Sequence, residues 1–191
     1  AEALIRWQHP EKGLIPPDVF IPFAEQTGFI RVLSLWVVDQ AATIWRQWHD
    51  AGLNLKIAVN LSAHDPMDRD LPQHLHAILT RHQVPPGAMV LEITEGATMD
   101  DPAHAEQILT RLSELGFMLS IDDFGTGYSS LAYLKTLPVH ELKIDKSFVL
   151  NMQNDLNDAK IVRSVIDLAH NLGMSVVAEG LESAKSWKLL E

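Results

Sequence analysis

The stretch Leu115-Gly116-Phe117-Met118-Leu119-Ser120-Ile121-Asp122-Asp123 sets the architecture. A glycine suits the left-handed position that stops a helix. A short apolar strand follows, and it runs straight into acids. The same unit occurs as Ala51-Gly52-Leu53, then Lys56 to Val59, ending at Asn60. It returns as Leu172-Gly173-Met174, then Ser175 to Ala178, ending at Glu179. Two stretches lack the glycine but end alike: Met89-Val90-Leu91 before Glu92, and Leu142 before Lys143 and Asp145. A further strand is expected over Glu2 to Trp7. The density of Val, Ile and Leu predicts a parallel sheet buried on both faces.

Between these strands lie helical patterns. Arg31 to His49 carries Leu35, Val38, Ala42, Trp45 and Trp48 at three-to-four spacing, an amphipathic helix. Asp101-Pro102 opens another, with a capping acid and Pro in the first turn. Leu156 to Leu172 is the third. Strands alternating with helices make an α/β chain of βα units. A doubly wound sheet and a barrel are the two natural closures. Eight-stranded barrels take about 250 residues, and this chain has 191. The expectation is one domain, residues 1–191, forming a barrel that lacks material at both ends.

Apolar residues make up 47% and charged ones 21%, the composition of an ordinary globular domain. The net charge of −10 argues against a DNA or RNA surface, which requires basic patches. No apolar run is long enough for a membrane span, and no signal peptide is evident, which fits a cytoplasmic segment. With no cysteine, any metal site must use O or N ligands. The nine His residues show no ligand pairing. Trp36, Trp45 and Trp48 read as core.

Asn60, Glu92, Asp122, Asp123, Lys143 and Glu179 all fall at or just past predicted strand ends. In a βα barrel those ends share one rim, where catalytic groups gather. A lone acid there is usually a turn residue or helix cap. Five strands each ending in a polar residue are not so easily dismissed. Converging carboxylates repel unless a cation neutralises them. Oxygen donors with an Asn carbonyl suit Mg²⁺, Mn²⁺ or Ca²⁺ better than Zn²⁺. The pair Asp122-Asp123 can bridge two ions, as in sites that clamp a phosphodiester. The Gly125-Thr126-Gly127 loop fits either a phosphate cradle or a plain turn.

Taken in order, the motifs resemble the EAL domain family, bacterial phosphodiesterases for c-di-GMP. They are Glu2-Ala3-Leu4-Ile5-Arg6-Trp7, Phe20-Ile21-Pro22, Val59-Asn60-Leu61-Ser62 and Leu91-Glu92-Ile93-Thr94-Glu95. They continue with Ile121 to Leu131, Leu142-Lys143-Ile144-Asp145 and Val177-Ala178-Glu179-Gly180-Leu181-Glu182. The resemblance covers essentially the whole chain. It implies a modified TIM-like barrel with one antiparallel strand. It implies metal ligands at Glu2, Asn60, Glu92 and Asp122, with Asp123 on a second ion. Lys143 resembles the lysine that orients and helps deprotonate the attacking water. Glu179 matches a metal-centre or general-base carboxylate, and Glu182 an acid that braces the cluster. Arg6 resembles a contact to substrate phosphate, and Leu4 lies in the same motif as a substrate contact. Glu95, Phe124, Gly125, Thr126 and Gly127 match a loop that couples the site to a dimer interface.

The activity implied is hydrolysis of one phosphodiester of c-di-GMP to linear pGpG, with Mg²⁺ or Mn²⁺ and with Ca²⁺ inhibitory. Implied partners are a second copy and cis sensor or GGDEF-type domains. The family's Tyr-Gln-Pro element and its C-terminal Gln-Gly-Tyr segment do not occur. A metal-free c-di-GMP receptor is the alternative, and retention of every expected ligand disfavours it.

Overall fold

The computed structural model describes residues 1–191 except 99–100, 127–130, 154, 182 and 191. Eight strands are present among the described residues: β1 (Glu2–Ala3), β2 (Trp7–His9), β3 (Gly13–Ile15), β4 (Ile57–Asn60), β5 (Met89–Thr94), β6 (Met118–Phe124), β7 (Glu141–Ile144) and β8 (Ser175–Ala178). The helices are α1 (Pro17–Gln26), α2 (Ile30–Asp50), α3 (Leu71–His82), α4 (Pro102–Glu114), α5 (Leu131–Leu134), α6 (Lys146–Asn151), α7 (Leu156–Asn171) and α8 (Ala184–Leu190). Six strands form one curled sheet in the order β1-β4-β5-β6-β7-β8, a half-barrel. Every pairing in it is parallel, so the implied antiparallel strand is not among these six.

The three glycine units are βα punctuation, as expected. Gly52, Gly116 and Gly173 have φ of 83°, 91° and 78°. In each, the next residue's N–H reaches back into the last turn: Leu53 to Trp48 O, Phe117 to Leu112 O, and Met174 to Ala169 O. This satisfies carbonyls that a helix end otherwise leaves unpaired and turns the chain into the following strand.

Near the C-terminal ends of the strands the helix side is apolar and the other side polar, while Ala58, Val90 and Met118 form an apolar row deeper on the concave side. Ile57, Val59, Leu91, Ile93, Leu119, Ile121, Leu142 and Ile144 are buried in the core, where α2, α4 and α7 pack on the sheet. The alternate positions, in shared register, are Asn60, Glu92 and Ser120, then Glu141 and Ser175. Period-two alternation therefore sends a polar row to the concave face. The central strands are buried on both faces, as expected, with Glu92, Ser120 and Lys143 buried on the concave side.

Three details differ from the sequence reading. The strand expected over Glu2 to Trp7 stops at Ala3, and Trp7 starts an antiparallel hairpin with β3. Trp45 is buried and Trp48 packs against the core, but Trp36 is 51% exposed. Trp36 lies one position off the Leu35/Val38 stripe, so it points away from the sheet. Finally, α1 and α3 were not anticipated. Helix α3 buries Leu71, Leu75 and Leu79 at four-residue spacing. The Asp101 cap is as expected, accepting from His104 N at 3.2 Å.

Candidate active site

Strand β6 makes the site possible. Ile121 pairs with Leu142 and Phe124 with Ile144, so two residues, Asp122 and Asp123, oppose Lys143 alone. This is a β-bulge, a device that re-aims side chains. Asp123 takes φ 53°, the left-handed region that Asp tolerates better than most residues. Adjacent residues on a regular strand face opposite ways. Here the bulge lets both carboxylates reach the same side. Asp122, Asp123 and Glu179 each bring an oxygen within 4.8 Å of the others.

Lys143 stands at the centre. Its Nζ lies 2.8 Å from Glu179 Oε1, 3.0 Å from Glu92 Oε1 and 3.1 Å from Asp122 Oδ1. Burial works against its charge, but hydrogen bonds to Glu179, Glu92 and Asp122 outweigh burial and hold its pKa above the ordinary lysine value. Lys143 is therefore an ammonium. One ammonium does not balance the surrounding acids. Burial, partly offset by Lys143 and reinforced by Asp122 and Glu2, pushes Glu92 up to about 7. Burial and the charges of Asp122, Asp145 and Glu179 also raise Asp123. Glu92 Oε2 is buried with no hydrogen-bond partner among the described residues. An orphaned carboxylate oxygen in an acid-rich, all-oxygen cluster is what a hard divalent cation would satisfy. The residues present fit such an ion.

The other expected residues fall close by. Asn60 Nδ2 donates to Glu2 Oε1 at 2.7 Å, which turns the Asn60 carbonyl oxygen the opposite way. Gly125 N donates to Glu95 Oε2 at 3.2 Å, so the loop after β6 is tied to the end of β5. Thr126 Oγ1 donates to Asp123 O, and Phe124 is buried. Leu4 and Arg6 line a cavity of about 370 Å³ together with Asn60, Ser62 and Thr94. Arg6 Nη1 donates to the adjoining Ile5 O, and the side chain is exposed. Glu182 and Gly127 lie outside the described residues.

Sequence reading placed these residues at or just past strand ends, whereas Glu92 and Asp122 sit two residues, and Lys143 one residue, before the ends of their strands. It named Asp145 at a strand end but gave it no role; Asp145 caps α6 by accepting from Ser147 N at 2.9 Å and is hydrogen-bonded to Asp123. The Asp145-Lys146-Ser147 spacing was a readable cap signal. Gly180, just past Glu179, has φ 70°, and a Cβ there would lie 2.8 Å from Lys146 Cβ. Gly180→Ala is thus expected to lower stability by at least about 1–2 kcal/mol, measured by urea unfolding.

Comparison with known proteins agrees with the geometry. The sequence model of the EAL domain family matches residues 1–191. The bifunctional diguanylate cyclase/cyclic di-GMP phosphodiesterase MucR of Pseudomonas aeruginosa is 45% identical over 190 residues, covering 99% of this chain and 28% of MucR. The cyclic di-GMP phosphodiesterase PA2567 of the same organism is 37% identical over 190 residues, covering 100% of this chain and 32% of that protein. The chain thus spans about a quarter to a third of these relatives. The solved PaMucR phosphodiesterase, in its c-di-GMP complex, superposes with a TM-score of 0.93 at 45% identity. That match covers 99% of this chain and 77% of that one.

Proposed function

Because this chain belongs to the EAL domain family, we propose that it hydrolyses one phosphodiester of c-di-GMP to linear pGpG with Mg²⁺ or Mn²⁺. The observation that carries this reading is the Lys143 centre: one ammonium against three carboxylates, beside the Asp122/Asp123/Glu179 cluster. Names borne by relatives, and the c-di-GMP in the MucR complex, support the substrate.

In this reading Glu2, Asn60, Glu92 and Asp122 hold one ion and Asp123 a second. Bound there, the ions would lower the pKa of a water and offset charge on the phosphorus oxygens. Lys143 donates hydrogen bonds that orient the nucleophile, and cations bound beside it would work against its ammonium form. Glu179 is the most exposed of the three carboxylates around Lys143 and takes the proton. Arg6 reaches a phosphate from the cavity wall, and Leu4 packs against the ligand. The Glu95–Gly125 tie couples the loop Phe124 to Gly127 to a homodimer interface. The diguanylate cyclase activity in the MucR name supports a GGDEF-type neighbour domain.

Incubation with c-di-GMP and Mg²⁺, followed by chromatography, tests the reading. Linear pGpG that disappears with chelator supports it. Intact c-di-GMP retained on the protein would make the chain a receptor instead. Substituting Ca²⁺ for Mg²⁺ is expected to stop turnover, because Ca²⁺ takes looser, higher coordination. Full activity with Ca²⁺ alone would contradict the ion assignment.

A further inference from the structure

Asp65 is a carboxylate the proposed chemistry does not use, yet it is only 1% exposed. It opens a short 3-10 turn, Asp65–Met67, five residues beyond Asn60. Its Oδ2 accepts two hydrogen bonds of 2.7 Å, from Ser34 Oγ and from Ser62 N. Ser62 is local, on the loop that leaves β4. Ser34 is not: it lies in the second turn of α2, and its side chain crosses to the loop. The same loop is pinned on its other side, where Leu61 N donates to Glu92 O at 2.8 Å.

A buried carboxylate that accepts from a nearby backbone N–H often does no more than close a turn. The Ser34 bond is what exceeds that role. Ser34 and Ser62 both line the cavity that holds Leu4, Arg6 and Asn60. One wall of this cavity is α2, through Ile30, Leu33 and Val37; another is the loop Leu61 to Ala63. Asp65 sits behind both and joins them through one oxygen.

We propose that Asp65 is a positioning residue, a buried clamp between α2 and the β4 loop that sets the width of the Leu4/Arg6 cavity and the placement of Asn60. This rests on the reading that the cavity takes part of c-di-GMP. Removing the carboxylate leaves the Ser34 hydroxyl and the Ser62 N–H without their shared acceptor, so the helix and the loop are no longer held together. The walls then separate without any loss of a ligand-contacting group.

Calorimetric titration with c-di-GMP in Ca²⁺ buffer, with the ligand recovered intact, measures this without turnover. Asp65→Ala and Ser34→Ala are each expected to raise the Kd by about tenfold, the order by which losing an outer partner weakens a site. Asp65→Asn keeps an acceptor oxygen and is expected to stay near wild type. A partly unfolded variant would raise the apparent Kd for that reason alone, so each variant is titrated at a temperature where its own unfolding curve shows it fully folded. An unchanged Kd in Asp65→Ala, even with a lower unfolding temperature, overturns the assignment and leaves Asp65 a stability residue. Asp65→Asn binding as weakly as Asp65→Ala also overturns it. A wild-type protein that binds no c-di-GMP overturns the substrate reading itself, and is seen before any variant is made.

Discussion

Asp122→Ala is expected to reduce c-di-GMP hydrolysis at least a thousandfold while the protein stays folded. The change removes one of three carboxylates facing Lys143 and one of the three oxygens in the Asp122/Asp123/Glu179 cluster. A thousandfold corresponds to about 4 kcal/mol of transition-state stabilisation, within reach of an ion that is no longer held in place. Stability should not suffer comparably. Asp122 lies on the concave polar face, apart from the apolar layer of Leu119, Ile121 and Leu142. It also sits among like charges, so its loss relieves repulsion. Circular dichroism with thermal unfolding checks the fold, and chromatography checks turnover. Hydrolysis within tenfold of wild type would remove Asp122 from the machinery.

Glu92 carries the second large effect, and its sign is opposite for stability and activity. Its folded-state pKa lies near 7, above the ordinary 4.5, chiefly through burial. Between those values the folded protein binds more protons than the unfolded chain. Its contribution to stability is therefore fully present below about pH 4.5 and is lost as pH rises toward 7. The span corresponds to roughly 3 kcal/mol. Metal-free wild type should lose stability across this window relative to Glu92→Gln, which has no proton to release. At pH 8 the Gln variant is expected to be the more stable of the two, by less than that full amount because its amide N–H₂ inherits the unpaired position of Oε2. Hydrolysis by the variant should be lost. Urea unfolding at pH 5 and pH 8 in chelator reads the difference. Equal pH slopes in the two proteins would show that Glu92 does not carry the buried charge. The site is then a place where the chain is less stable so that it can hold ions, a recurring trade between stability and function.

Much of this was legible before any coordinates. The helix stops at Gly52, Gly116 and Gly173, the three long helices, and the convergence of Asn60, Glu92, Asp122, Lys143 and Glu179 followed from local spacing. These features depend on one segment at a time. What was not legible depends on pairs of segments. The bulge that turns Asp122 and Asp123 to one side exists only in the register of β6 against β7, which no single strand declares. The Ser34–Asp65 clamp joins residues that no periodicity relates. Trp36 shows the remaining gap: aromatic character alone does not say which side of an amphipathic helix a residue occupies. The β2–β3 hairpin and α3 had readable signals, Lys12-Gly13 at the turn and Leu71/Leu75/Leu79 along the helix, and were overlooked beside the stronger strand units.

The most direct test is hydrolysis of c-di-GMP in water enriched in oxygen-18, with Mg²⁺ and mass analysis of the nucleotide. Opening one phosphodiester by water predicts linear pGpG with a single heavy oxygen in its terminal phosphate, in wild type and not in Asp122→Ala. Unlabelled linear product, or c-di-GMP recovered cyclic from the wild-type protein, would contradict the account.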